Sequence, residues 1–281
     1  MEWLTDNKIP IGKGAKAVVD WLTDNAAWFF DGISYALAAM IDGILWVLQA
    51  PHPLFVVVAV TSLAWFVRRN ISFPLFVLAS LLLIINQGYW EETTETLALV
   101  IGASVVCMVV GVPIGVAAAH RPKLYAALRP ILDLMQTIPT FVYLIPALIL
   151  FGLGMVPGLI ATVIFAIPAP IRLTQLGVSS TPVQLLEAGQ AFGATRSQLL
   201  WKVELTYALP QIMAGLTQTI MLSLSMVVIA ALVGADGLGV PTLRALNTVN
   251  IAKGFEVGVA IVLVAIVLDR FFRTKSGEGG R

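Results

Sequence analysis

The sequence predicts an all-α integral membrane protein, and three observations carry that prediction. Hydrophobic residues make up 58% of the 281-residue chain, against roughly 45–50% in soluble domains. Charged residues make up 12%, where soluble domains have about 25%. The apolar residues gather in long runs bounded by charge, and about 20 helical residues cross a hydrocarbon core of ~30 Å. A soluble globule of this size has too little interior to hide so much apolar surface. The mean hydropathy of +0.91 points the same way.

The elements follow in order. Met1-Glu2-Trp3-Leu4-Thr5-Asp6 carries acid where a signal peptide needs basic charge, so the N-terminus is expected to stay on the mature protein. Residues 1–51 read as an extracytoplasmic, interfacial amphipathic segment. Ile33, Leu37, Met40, Ile41, Ile44 and Leu48 repeat on one helical face, while Ser34, Asp42 and Gln49 lie on another, with Trp28 and Trp46 as interfacial anchors. The alternative is a true span in which Asp42 faces protein. Seven spans are expected after that, at 53–67, 73–89, 96–119, 134–153, 157–176, 210–234 and 255–272. The first two are short and flank Arg68-Arg69-Asn70. The fourth and fifth are divided by the turn Gly152-Leu153-Gly154-Met155-Val156-Pro157-Gly158. Residues 273–281 read as a flexible cytoplasmic tail, with Asp269 and Arg273 paired one turn apart at the inner face.

Charge sets the expected orientation. With the N-terminus outside, twelve lysines and arginines face inward, including Arg68, Arg69, Arg121, Lys123, Arg129, Arg172, Arg196 and Lys202, and only five face outward. Basic residues collect on the cytoplasmic side, so the chain reads as N-out, C-in, which requires an odd number of spans.

Several function classes are excluded or disfavoured. A net charge of +1 offers no field for nucleic acid. The lone Cys107 sits in an apolar run and forms no cysteine-based metal cluster. His52 and His120 fall at opposite membrane borders, where each is a solvated or capping residue and the two share no metal or dyad. No phosphate-binding loop, serine elbow or zinc helix is present. The chain is therefore expected to be no enzyme. Asp133, Arg172, Glu256 and Asp269 lie near span ends, away from the mid-membrane position that ion-coupled carriers use.

The segment 177–209 differs in composition and faces inward by the charge rule. Thr181 is placed to cap a helix beginning at Pro182, Gly193 to end or bend it, and Ser197 to start a second short helix leading back to the membrane. Glu187-Ala188-Gly189, then Gly193, then Val203-x-Leu205 resembles the Glu-Ala-Ala loop of binding-protein-dependent ABC importer permeases. Gly189 stands where a second Ala is usual, and Thr206 where Pro is usual, with Pro210 four residues on. Three further segments are similar to the permease subunit of glycine betaine, proline betaine and choline importers. They are Asp133 to Pro146, the turn Gly152 to Gly158, and Leu222-Ser223-Leu224-Ser225-Met226-Val227-Val228-Ile229-Ala230.

That resemblance implies a type I ABC importer transmembrane fold, a five-helix core with two N-terminal spans and interfacial helices, in a bacterial inner membrane. It implies a second copy of the permease, two cytoplasmic ATPase subunits, and a soluble substrate-binding protein outside. That protein is expected to be separate, because the chain stops nine residues past Phe272. ATP and Mg would be bound by the partner ATPase and no cofactor by this chain. The loop would be a coupling helix, with Glu187, Ala188, Gly189, Gly193 and Arg196 meeting the ATPase. The residues themselves suggest a pathway. Gln136, Thr140 and Tyr143 share one helical face with Thr137 nearby, while Gln218, Ser223 and Ser225 add small polar groups. Phe141 and Tyr143 offer rings to a quaternary ammonium. Serine and threonine also hold membrane helices together, and both readings stand at this point.

Overall fold

A computed structural model of the chain describes residues 11–272. The readings of Met1 to Asp6, of the tail, and of the Asp269–Arg273 pair rest on residues outside that range. The described residues form helices joined by short turns.

Helix α1 (Ile11–Gln49) breaks its helical geometry at Ala26, where φ is −124° and ψ 16°. Beyond the break, Leu37, Met40, Ile41 and Ile44 pack against Ala98, Ala103 and Leu159. The Phe30 ring meets Phe151 edge-on at 5.5 Å, and Gln49 Nε2 donates to Thr94 Oγ1 at 2.8 Å. The stripe that its periodicity assigned to the membrane surface thus meets protein, because the facing residues Ala98, Gly102 and Ala103 are small enough to receive it. By length and composition Gly12–Gln49 is also able to cross a bilayer. Its contacts run along the N-terminal half of α4 (Trp90–His120), from Thr94 to Ala103, and reach Leu159 and Phe151, the last residue of α6 (Thr140–Phe151).

Helices α2 (Pro53–Arg68) and α3 (Ser72–Asn86) form the expected hairpin. His52 caps α2, its Nδ1 accepting from the Leu54 N–H at 3.3 Å, and Pro53 opens the helix. With 16 and 15 residues each reaches about 24 Å at 1.5 Å per residue, short of a full hydrocarbon core.

The expected span 134–153 is not one straight helix. Helix α5 (Pro122–Thr137) and α6 are bent by 95° across Ile138 and Pro139. Proline lacks an N–H and drives the preceding residue out of helical geometry, and Ile138 accordingly sits at ψ 129°. Helices α7 (Met155–Ala166) and α8 (Pro168–Ser179) follow, together making a 25-residue apolar stretch from Met155 to Ser179. The turn before α7 is pinned by the Gly154 N–H donating to the Val233 carbonyl at 3.0 Å.

Helix α9 (Val183–Ala191) and the short α10 (Arg196–Leu199) make the inward segment. A π turn, Leu200–Glu204, runs without interruption into α11 (Leu205–Ala230), so Arg196–Val233 forms a 38-residue rod. The short α12 (Gly239–Asn247) and the final α13 (Ile251–Phe272) complete the chain.

The centre is a close triad of α4, α8 and α11. A Cβ on Gly115 would stand 2.7 Å from the Ile171 carbonyl oxygen, and one on Gly177 3.0 Å from Ala208 Cβ. Where hydrocarbon surrounds the helices no hydrophobic drive presses them together, and small residues that let backbones approach supply the packing instead. A second cluster joins Phe73, Val77 and Ile84 of α3 to Val257, Val264 and Val267 of α13.

Candidate functional site

One end of the bundle carries an elbow that projects from it. Helix α9 has no buried residue, and Glu187, Ala188 and Gly193 are exposed. Thr181 does not cap it. That side chain is buried without a hydrogen-bond partner at Oγ1, and Pro182 occupies the N-cap position with no side-chain bond. The helix stops as expected at Gly193, whose φ is +79°. The Gly193 N–H donates to the Gln190 carbonyl at 2.8 Å and the Ala194 N–H to the Gly189 carbonyl at 3.0 Å, the paired bonds of a left-handed C-terminal cap.

The return limb starts with a capping box. Thr195 Oγ1 accepts from the Gln198 N–H at 3.3 Å, and Gln198 Oε1 from the Thr195 N–H at 2.8 Å. Gly189 faces this limb. A Cβ there would stand 2.5 Å from Leu199 Cδ2, so the smaller residue lets α9 lie against α10. Arg196 is exposed beside the cap. Phe192 is 93% exposed at the apex, and no sequence signal marked it, since an aromatic beside a glycine reads equally well as core.

The elbow is tied back to the bundle by a pair that no spacing rule suggests. His120, the last residue of α4, places Nε2 2.8 Å from Glu204 Oε2. Its Nδ1 lies 2.9 Å from the Val116 carbonyl. The side chain of Glu204 is 12% exposed, and the imidazole is the polar group that stands against its buried oxygen. The π turn sets Glu204 in register; π turns often mark functional sites.

The expected pathway residues are brought together only in part. Gln136 and Thr140 are half-buried on opposite sides of the Pro139 bend, so the spacing argument that joined 136, 140 and 143 fails across it. Thr137 is exposed at the end of α5, its hydroxyl near the Leu134 carbonyl at 3.4 Å. Tyr143 packs beside Leu144, Ala161 and Met226, with its hydroxyl buried and unpartnered. Phe141 is exposed. The two serines differ. Ser223 is fully buried and donates to the Thr219 carbonyl at 2.8 Å, whereas Ser225 is exposed and donates to Met221 at 3.1 Å. Gln218, Met221 and Ser225 therefore share the open face of α11, and Ser223 belongs to its packed face. Near the bend, Arg172 Nη2 donates to Asp133 Oδ1 at 2.5 Å and joins α8 to α5. Among the described residues no group of histidine, cysteine or carboxylate side chains is arranged to hold a metal.

Comparison with known proteins bears on this arrangement. The profile of the family described as binding-protein-dependent transport system inner membrane component matches residues 111–274, which include the elbow. The glycine betaine transport system permease protein OpuAB of Bacillus subtilis is 46% identical over 94% of this chain and 93% of its own length. The glycine betaine/proline betaine transport system permease protein ProW of Escherichia coli is 40% identical over 93% of this chain and 74% of its own. Among solved structures, the inward-facing methionine ABC transporter MetNI superposes with a TM-score of 0.57 at 27% identity. That match covers 64% of this chain and 92% of the other. The multi-pass apolar helices and these likenesses converge: the chain belongs to the binding-protein-dependent transport system inner membrane components, the permease subunits of ABC importers.

Proposed function

We propose that this chain carries quaternary ammonium solutes of the glycine betaine type across a bacterial inner membrane, driven by ATP that a partner hydrolyses. The observation that carries the reading is the continuity of the elbow with the bundle. Glu187, Ala188 and Gly193 are exposed, and the return limb becomes the rod Arg196–Val233 without a loop. A push on the apex therefore displaces α11 rather than being absorbed. The choice of solute rests on relatives at 40–46% identity whose names specify glycine betaine or proline betaine.

In this reading Glu187, Ala188, Gly189, Gly193 and Arg196 meet one of two cytoplasmic ATPase subunits, which hold the ATP and Mg. Two copies of the permease pair, with the N-terminus outside, and a substrate-binding protein delivers the solute to the outer ends. Gln136, Thr140, Phe141, Tyr143 and Ser225 line the route, and aromatic faces attract the cationic headgroup at about 0.5–2 kcal/mol each. Ser223 is a packing residue on the same rod.

The test is reconstitution of the permease with its ATPase and binding protein in liposomes, followed by uptake of labelled glycine betaine, choline and an amino acid. ATP-dependent uptake of the betaine is expected. Selective uptake of the amino acid overturns the substrate assignment. Uptake by the permease alone on an ion gradient overturns the mechanism.

A further inference from the structure

An apolar crevice of about 210 Å³ runs beneath the α2–α3 hairpin. Its walls include Val60 and Leu63 of α2, Leu81 of α3, Ile101 of α4, and Val267 and Phe272 of α13. A second hollow of about 360 Å³ adjoins it and shares Ile101, Leu268 and Phe272. Only two hydroxyls face the first, and both are already engaged. Ser80 donates to the Phe76 carbonyl at 2.7 Å, and Thr94 donates to the Glu91 carbonyl at 2.7 Å while accepting from Gln49. With both hydroxyls engaged, the lining offers an almost wholly apolar wall.

Basic residues adjoin the end of the crevice at Phe271 and Phe272 in the chain, outside its lining. Arg270 lies over the Phe76 ring, 5.7 Å from its centroid. Arg68 donates from Nη2 and Nε to the Arg270 carbonyl at 2.6 and 3.1 Å, which holds the two helix ends side by side. Arg69 is exposed at the left-handed cap of α2, where φ is 48°. Half-buried Asp269 is the neighbouring acid in sequence, so positive charge predominates.

We infer that this crevice is a binding site for an anionic phospholipid, with an acyl chain between the hairpin and α13 and the phosphate at Arg69 and Arg270. Guanidinium groups match phosphate oxygens in a planar, two-point geometry. The wall is lined as an acyl chain requires, and the mouth distinguishes an anionic headgroup from a zwitterionic one. The inference rests on membrane insertion alone and is independent of which solute is carried.

The test is native mass spectrometry of the permease–ATPase complex, released from nanodiscs holding equal phosphatidylglycerol and phosphatidylcholine with identical chains. Retention of phosphatidylglycerol in preference is expected. Arg69→Gln with Arg270→Gln should reduce that preference about 25-fold, at roughly fivefold for each basic residue near an anionic surface. Val60→Trp fills the crevice and should remove retained lipid of both kinds. Leu63→Trp serves if that variant does not assemble. Unchanged preference in the double glutamine variant overturns the headgroup assignment. Full lipid retention with the crevice filled overturns the site, as does a disulfide between two copies carrying Leu63→Cys, which would show a second chain seated there.

Discussion

Gly193 shows how one residue fixes the shape of the elbow. Its φ of +79° is left-handed, and nothing lies within 4 Å of the place a Cβ would take. The constraint is therefore conformational and not steric crowding by neighbours. A β-branched side chain in this region costs about 1–2 kcal/mol. Gly193→Val should leave the protein inserted and co-purifying with lipid, while uptake by the reconstituted complex falls by at least tenfold. Normal uptake would show that the cap geometry is irrelevant to coupling. Phe192 is the complementary case, since 93% exposure of an aromatic at an apex suits burial in a partner. Phe192→Ala should weaken ATPase association in a pull-down by about tenfold or more, with the thermal midpoint of the isolated permease unchanged. Gly193 was legible in the sequence because a helix stop needs a residue tolerant of positive φ. Phe192, the His120–Glu204 pair and the division between Ser223 and Ser225 were not. Each depends on which face of a helix is covered, and that is decided by partners far along the chain.

At the level of elements, the bend between α5 and α6 shows where sequence reading stops. Apolar content marked 134–153 as one span, but content does not report direction. Pro139 turns the chain by 95°, and the helical face inferred from 136, 140 and 143 does not survive the turn. Helix α5 buries only Leu132, so the Arg172–Asp133 bond is its main polar tie to the bundle. Both side chains are partly exposed, at 35% and 53%, and such pairs contribute roughly 0–1 kcal/mol. Asp133→Asn should therefore accelerate amide exchange across Pro122–Thr137 by no more than about fivefold, with α4 unaffected. Equal acceleration in both helices would mean that the bond supports the whole bundle. Helix α1 teaches the same lesson from the other side. Its stripe at 37, 40, 41 and 44 was visible from periodicity, yet only the small residues Ala98, Gly102 and Ala103 reveal that protein covers it.

At the scale of the whole molecule, motion at the elbow is useful only if α4, α8 and α11 move as one body. Their closeness depends on glycines whose need is invisible in a single sequence, because a glycine in an apolar helix looks the same whether or not a neighbour touches it. Gly115 and Gly258 are the contrasting pair. A Cβ at Gly115 would lie 2.7 Å from the Ile171 carbonyl oxygen, a backbone atom that cannot swing aside, while at Gly258 nothing stands within 4 Å. Gly115→Ala should therefore force α4 from α8, and overpacking of this kind costs about 1–3 kcal/mol. For a chain of this length, at about 2–4 °C per kcal/mol, that corresponds to a fall of roughly 2–12 °C in the thermal midpoint. Gly258→Ala should be neutral or raise the midpoint slightly, since alanine is favoured over glycine inside a helix by about 0.5–1 kcal/mol. The two variants differ by one methyl group from the same parent, so helix propensity alone would move them together. A midpoint that rises equally in both would show that the triad yields to a methyl group, and the elbow would then be attached to a body too soft to transmit its displacement.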